Sequence, residues 1–402
     1  VIASTLNSVL EPSGTAVWFW VLAFIAFVWL RRHRDLNRGR DEPVLSAQDV
    51  PPPDDPLPRL SVLVAAKDEE ANIERCLNGL LAQQYPDFEI IVANDRSADR
   101  TGEIVDRLAA QHPHLKTVHI TELAPGWSGK NHALHHAVQH ATGEYFVFTD
   151  ADCRFHDPTL LAAAVGYARR EQIDFLSVLP QLEAWTFWER VVQPPAGAIL
   201  IFWFPPQKVN DPRSPRAYAN GAFMLMSRTA YERLGGHAAV RTALNEDMHF
   251  ARRAKQLGVR LRVIRGGGMY SVRMYAGWRQ IWNGWTRIFY CCFGTLPRLL
   301  ASVLFLSVFS LLPTLSLLAA LTLMIWPEFR SWAAAVASVA AVAVLAQQSV
   351  LWRFYALGGT RPAWALTWPL GAAVCLGITL NAIARHFGAR THWRGTTYTA
   401  GA

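Results

Sequence analysis

Two long stretches of this chain have no place in a water-soluble fold. Residues 15–30 (TAVWFWVLAFIAFVWL) carry no charge, and residues 299–384 are almost continuously apolar. A helix crosses a bilayer core with about 20 apolar residues, and backbone in lipid must satisfy its hydrogen bonds internally. The first run therefore reads as a transmembrane anchor, extended by Leu10 and held by its tryptophans. The second divides into apolar runs at about 299–325, 332–352 and 363–384. The expected organisation is an anchor over 1–34, a Pro-rich linker over 35–59 and an α/β domain over 60–270. An interfacial segment over 271–298, membrane helices over 299–384 and a basic tail over 385–402 complete it.

Charge assigns the sides. Arg31, Arg32, Arg34, Arg38 and Arg40 follow the first run, and basic residues collect on cytoplasmic flanks, so this end and the domain after it are expected inside a bacterial inner membrane. A cleaved signal peptide is the competing reading, but the basic cluster lies after the apolar run and no small-residue cleavage site follows it, so a retained anchor is expected. Three crossings after a cytoplasmic domain would leave the C-terminus outside, yet Arg385, Arg390 and Arg394 make that tail basic. Pro313, in the middle of the first C-terminal run, offers a way out as the turn of a re-entrant hairpin. The net charge of +8 suits an anionic bilayer surface. No basic stripe is interleaved with aromatics, which excludes nucleic acid as a partner. The five cysteines have no metal-ligand spacing and read as packing residues.

The segment 41–59 is too rich in proline for helix or sheet. After it, strand-like runs at 60–66, 88–93, 116–120 and 145–149 alternate with helical patterns at 70–84, 98–111 and 131–140. Such alternation means parallel strands with crossover helices, a Rossmann-like α/β sheet that binds ligands at the strands' carboxyl ends. Polar clusters fall on those ends: Lys67-Asp68-Glu69-Glu70, Asn94-Asp95-Arg96-Ser97-Ala98-Asp99 and Asp150-Ala151-Asp152. Asp99 reads as a helix-capping residue. Two acids one residue apart at a strand end call for a cation or hydroxyl-rich partner. Hard Mg²⁺ or Mn²⁺, held by carboxylates and phosphate oxygens, meets that need. Lys130, flanked by Gly129 at a helix start, makes an anion site. His132, His135, His136 and His140 read as a helix face rather than a zinc site.

With Gln83-Gln84-Tyr85-Pro86, Asn94-Asp95-Arg96-Ser97-Ala98-Asp99, the Gly126–Leu134 lysine loop and Thr142-Gly143-Glu144-Tyr145, the chain resembles, over about 60–290, the family 2 glycosyltransferases of the GT-A fold. That family consists of inverting enzymes that use nucleotide-diphosphate sugars. The resemblance implies that Glu69 and Asp95 hold the ribose and uracil, with Asn94 standing where the family has an acid. It places Lys130 near the diphosphate, Asp152 on the metal and Asp150 on ribose or sugar hydroxyls. Glu246-Asp247 matches the family's Glu-Asp pair, with Asp247 as general base, and Gly221 lies on its acceptor-side strand. Residues 185–206 read either as a monotopic membrane-contact element or as a buried helix. Where processive relatives carry Gln-x-x-Arg-Trp, this chain has Ile281-Trp282-Asn283-Gly284-Trp285. Trp285 is retained, and Arg279 or Arg287 is left as a diphosphate clamp. Trp393-Arg394-Gly395 through Tyr398 resembles the tail of glycosyltransferases that act on ceramide, carotenoid and hopene-type lipids. The expected function is inverting transfer of one sugar from a UDP-sugar to a membrane lipid on the cytoplasmic face. The alternatives are a processive polysaccharide synthase, or an inactive GT-A scaffold or sugar-nucleotide binder.

Overall fold

The computed structural model describes residues 12–40 and 42–387 and the short tail strands Thr391–Trp393 and Thr396–Tyr398. The chain forms two compact units. One is helical, built from residues 12–40 with 185–200 and 277–387. The other is α/β, built from 42–184 and 201–276 together with the tail strands.

In the α/β unit the strands are β1 (Leu60–Ala66), β2 (Phe88–Asp95), β3 (Leu115–Ile120), β4 (Tyr145–Asp150), β5 (Cys153–Phe155), β6 (Phe175–Leu179), β7 (Gln181–Leu182), β8 (Phe223–Ser227), β9 (Leu261–Arg265) and β10 (Tyr270–Val272). Seven of them make one sheet in the order β3-β2-β1-β4-β8-β6-β9. β1 lies in the middle of its parallel half, with Leu60 in register with Phe88 on one side and Tyr145 on the other. Both of its faces are covered, so it reads as an unbroken apolar run (LSVLVAA). Each large aliphatic buried there contributes about 1.5–3 kcal/mol. One face packs on helix Ile73–Leu81 through Ile73, Cys76, Leu77 and Leu80, and on helix Leu160–Arg170. The parallel strands expected at 60–66, 88–93, 116–120 and 145–149 are all present.

β8 departs from that parallel scheme. It runs antiparallel to both β4 and β6, so its entry, Asn220-Gly221-Ala222, arrives at the rim where the parallel strands end. A second, three-stranded sheet β5-β10-β7 adjoins the turn after Asp150. Residues 42–59, expected as a linker, pack onto this unit. Leu45 is buried, its N–H donates to the Arg265 carbonyl at 2.9 Å, and Arg170 pairs with Asp49 at 2.8 Å.

The opposite end of the sheet is tied by one buried acid. Glu89 accepts from Ser61 Oγ (2.8 Å), Lys116 Nζ (2.7 Å), and the N–H and Oγ1 of Thr142 (both 2.7 Å). Ser61 Oγ in turn accepts from Gly143 N–H at 2.8 Å, and a Cβ on Gly143 would lie 2.5 Å from the Ser61 nitrogen. Thr142-Gly143 is thus a knot joining β1, β2, β3 and the start of β4.

Among the described residues the helical unit holds four helices long and apolar enough to cross a membrane: Ala16–Arg40, Leu296–Leu323, Pro327–Leu357 and Pro362–His386. The re-entrant hairpin expected at Pro313 does not form. Helix continues through Leu296–Leu304, a π-helical stretch Phe305–Leu311 and Leu312–Leu323. Proline lacks the N–H that would bond the carbonyl four residues back. That carbonyl, on Phe309, accepts instead from Trp29 Nε1 at 2.8 Å and Gln347 Nε2 at 3.1 Å. Neighbouring helices thereby satisfy the group that would have forced a turn.

Burial alone would raise the Glu89 carboxyl, but its bonds from Lys116, Thr142 and Ser61 bring it down to about 2. A depressed folded-state value adds stability that is present above the ordinary value of 4.5 and is lost as pH falls toward about 2. Glu89→Gln is expected to lower the melting temperature at pH 7 by about 5 °C, from about 2 kcal/mol lost in a domain of this size. The gap to wild type should close between pH 4.5 and pH 2. A gap unchanged at pH 3 would show that the ionised acid is not the knot.

Candidate active site

Glu69, Asp95, Lys130, Asp150, Asp152, Gly221, Glu246 and Asp247 all stand at the carboxyl rim of the sheet, and local chemistry explains each placement. After β1 and β2 the chain turns through Asp68 and Arg96, whose φ angles are 52° and 53°. Non-glycine residues adopt this left-handed region at a cost, and the two turns brace each other. Asp68 N–H donates to Ser97 Oγ (3.0 Å), and Ala98 N–H donates to Asp68 Oδ1 (2.8 Å). Asp99 does the capping work expected of it, accepting from the N–H groups of Thr101 and Glu70 at 3.0 Å each. Glu69 is buried beside Asn72, whose amide donates to Glu69 Oε2 at 2.9 Å.

Adjacent strand residues point to opposite faces. The Asn94 side chain lies against His119 (3.1 Å), and a Cβ on Gly102 would come within 2.8 Å of its Nδ2. Asp95 points the other way, buried, with both oxygens held by Arg96 at 2.7 and 2.9 Å. A Cβ on Gly129 would lie 2.6 Å from Asp95 Oδ2. Only glycine lets the helix Gly129–Gln139 start this close to the end of β2.

That helix start carries Lys130 into the middle of the rim. Its ammonium pairs with Asp150 Oδ1 at 2.6 Å and Glu246 Oε1 at 2.7 Å. Burial would strip its proton, but the charges of Asp150 and Glu246 outweigh burial and hold it firmly cationic. Next to this chain of ion pairs, Asp247 opens the helix Glu246–Leu257. Asp247 Oδ2 accepts from Gly221 N–H at 3.0 Å and Oδ1 from Met248 N–H at 2.7 Å. A Cβ on Gly221 would stand 3.2 Å from both Glu246 Oε1 and Lys130 Nζ and 3.5 Å from Asp247 Oδ2. Gly221 is therefore the floor on which Lys130, Glu246 and Asp247 converge. Burial and the neighbouring Glu246 charge push Asp247 up to about 7, against the pull of Lys130 and the two backbone donors.

Asp150 and Asp152 suit a hard divalent cation. They offer carboxylate oxygens, and the corner they form is strongly negative: burial, then the charges of Asp152, Glu69 and Asp150, push the nearby Cys76 thiol up. Among the described residues no group of three or more His, Cys, Asp or Glu is gathered to hold a metal unaided. A cation here would take its remaining ligands from phosphate and water, as Mg²⁺ and Mn²⁺ sites commonly do.

Sequence reasoning overlooked Asn131 and His237. Asn131 is fully buried, and its amide donates to the carbonyls of Val240 (2.6 Å) and Ala243 (3.0 Å), while Ser128 N–H bonds Arg241 O at 2.7 Å. These bonds lock the lysine helix to the loop that leads into Glu246-Asp247. An asparagine in the first turn of a helix, a residue type that competes with helical bonding, was the available signal. His237 is buried under Phe148 and Phe250, its Nδ1 2.8 Å from Tyr231 Oη, and burial and the Lys130 charge keep it neutral.

Arg279, Trp285 and Arg287 belong to the helical unit, on the helix Trp278–Phe293. Trp285 is buried there against Phe289, at 5.7 Å between ring centroids, and Arg279 is exposed. Arg394 and the side chain of Trp393 lie outside the described residues.

Residues 61–235 match the family model described as Glycosyl transferase family 2, and residues 207–347 match that of Glycosyl transferase family group 2. The chain is 27% identical over 267 residues to the 4,4'-diaponeurosporenoate glycosyltransferase of Staphylococcus aureus, covering 63% of this chain and 68% of that one. It is 32% identical over 185 residues to the beta-monoglucosyldiacylglycerol synthase of Synechocystis, covering 45% of this chain and 37% of that one. In fold it is similar to the mannosyltransferase PcManGT from Pyrobaculum calidifontis, solved with GDP-Man and Mn²⁺. The TM-score is 0.51 at 21% identity, over 93% of this chain and 97% of that one.

An acid whose folded-state value is raised is most comfortable protonated, so the stability it permits is lost as pH rises through about 7. The melting temperature of Asp247→Asn, relative to wild type, is expected to be several degrees more favourable at pH 8 than at pH 5. An equal difference at the two pH values would contradict a raised Asp247.

Proposed function

We propose that this chain transfers one sugar, with inversion, from a UDP-sugar to the hydroxyl of a membrane lipid at the cytoplasmic face, a reading supported by the match of residues 61–235 to the Glycosyl transferase family 2 model and by the GT-A fold. The observation that carries this reading is Asp247, fixed by the Gly221 and Met248 N–H groups beside the Asp150–Lys130–Glu246 chain of ion pairs. A carboxylate raised to about 7 is matched to accepting a proton at neutral pH. Asp247 takes the proton of the acceptor hydroxyl, the acceptor oxygen bonds the anomeric carbon from the face opposite the phosphate, and the bond to the diphosphate breaks. Lys130 balances charge on that diphosphate, while Glu69 and Asp95 accept hydrogen bonds from the ribose and uracil. Asp152, with Asp150 beside it, would hold Mg²⁺ or Mn²⁺, which when bound takes up negative charge on the leaving group. Arg279 or Arg287 serves as a second clamp on the diphosphate, and Trp285, Trp393 and Arg394 serve the acceptor side.

A lipid acceptor is supported by relatives named for 4,4'-diaponeurosporenoate and monoglucosyldiacylglycerol and by four helices apolar enough to cross a membrane. The test is turnover of full-length protein in lipid nanodiscs with radiolabelled nucleotide sugar. Asp247→Asn is expected to lose about 10²–10⁴ in kcat while binding donor with a Kd close to wild type. Asp152→Ala should lose donor binding and metal dependence together. Near-normal turnover by Asp247→Asn would overturn the base assignment. For wild type, kcat/KM is expected to fall as pH drops below about 7, and a flat profile from pH 5 to 8 would argue against the same residue.

A further inference from the structure

The membrane arithmetic left a conflict: three crossings after a cytoplasmic domain put a basic C-terminus outside. The helical unit contains the answer. Trp29 Nε1 and Gln347 Nε2 both bond the Phe309 carbonyl, so residues 29, 309 and 347 lie at one level. To one side of that level run 12–29, 309–323 and 330–347, with Arg330–Leu357 packed on both Pro12–Arg40 and Leu312–Leu323. Each is roughly 15–18 residues, or about 22–27 Å at 1.5 Å per residue, close to a bilayer core of about 30 Å.

To the other side lie the basic residues. Arg31, Arg32, Arg34, Arg38 and Arg40 follow residue 29. Arg353 bonds His33 Nδ1 at 2.8 Å and Asn37 Oδ1 at 2.5 Å, which shows that Pro12–Arg40 and Arg330–Leu357 run parallel and end on the same side. The connection at the far end, 324–330, carries Arg330 as its one basic residue.

The last apolar helix, Trp368–His386, begins at this same level, with the Trp368 ring 6.2 Å from that of Trp29. From there it follows Phe305–Leu311 and Leu296–Leu304, the part of that helix on the basic side, and does not pack along Leu312–Leu323. Its other neighbours are two helices too short or too charged to cross. A Cβ on Gly371 would meet Val191 O at 2.2 Å, and one on Gly377 would meet Trp282 at 2.9 Å. Asn381 bonds Thr286 at 3.2 Å, and His386 stands 5.0 Å from the Tyr290 ring. Outward-facing apolar side chains surround this group: Leu366 is 68% exposed, Trp185 51%, Phe187 49% and Trp278 40%. Trp188 and Trp278 meet at 4.7 Å and Phe187 and Trp364 at 5.9 Å, with Arg190 over the Trp364 ring. Aromatic rings with an arginine at the level where spans end are the composition of a bilayer interface.

We propose that Trp368–His386 is not a fourth crossing. With helices Phe187–Trp203 and Trp278–Phe293 it forms an apolar platform that lies in the leaflet on the side of the basic cluster, its ligand being the lipid of that leaflet. Three helices cross, and the chain from Gly358 onward stays on the side where the first helix ends. The span count and the basic tail then agree.

The test is labelling by a membrane-impermeant maleimide in intact spheroplasts, using full-length chain with its native cysteines replaced by serine and one of Glu328→Cys, Thr360→Cys or Phe387→Cys added. Glu328→Cys is expected to label from outside, while Thr360→Cys and Phe387→Cys label only after permeabilisation. Labelling of Phe387→Cys in intact cells with Thr360→Cys protected would mean that the helix crosses, and would overturn the proposal. So would external labelling of Thr360→Cys. Should the cysteine-free chain fail to accumulate, C-terminal fusions to the unaltered chain decide it: a fluorescent GFP fusion is expected, and an active alkaline phosphatase fusion would overturn the proposal.

Discussion

The paired contacts of Lys130, 2.6 Å to Asp150 and 2.7 Å to Glu246, are the constraint on which the rim of this molecule depends. They join the end of β4, the start of the lysine helix and the start of the Glu246–Leu257 helix, segments between 20 and 116 residues apart in sequence. A half-buried cation shared by two acids is worth little to stability on its own, because desolvation offsets the attraction. Its value is geometric. With Lys130 between them, a cation and the Asp150–Asp152 carboxylate corner are already in place, which is where the proposed function puts the diphosphate and its metal. The cost is concentrated on Asp247, which is held half-buried beside the buried Glu246 and raised to about 7. Active sites often carry such destabilised groups.

Everything else at the rim serves to hold that arrangement. Gly129 and Gly221 give up side chains so that Asp95, Lys130, Glu246 and Asp247 can approach one another. Asn131 ties the loop before Asp247 to the lysine helix. At the far end of the sheet Glu89 performs a similar service for the strands, with no access to the rim. The residues that carry the resemblance thus divide: Thr142-Gly143 and Gln83 hold the framework, Gln83 through its bonds to Asp157 and Leu161, while Lys130, Asp150 and Asp247 gather at the rim.

The parallel half of the sheet was legible because strands buried on both faces read as largely apolar runs, as β1, β2 and β4 do, and these alternate with helical patterns and the edge strand β3 (LKTVHI). The acids at their ends were legible for the same reason, since a strand's end is where polarity returns. β8 was not, because FMLMS carries no mark of its antiparallel direction, which is set by its long-range pairing with β4 and β6. Pro313 misled because local sequence shows the missing N–H and not the distant donors, Trp29 and Gln347, that compensate for it. Residues 42–59 misled in a similar way: proline excludes regular structure but not packing, and Leu45 is as buried as any core residue.

The central claim is that one fixed carboxylate, Asp247, drives a single displacement at the anomeric carbon and that the acceptor is a lipid. Nuclear magnetic resonance of the glycolipid formed from an α-linked nucleotide sugar measures both at once. One sugar per lipid in the β configuration is the expected product. An α-linked product, or a polymer of many sugars, would contradict the account.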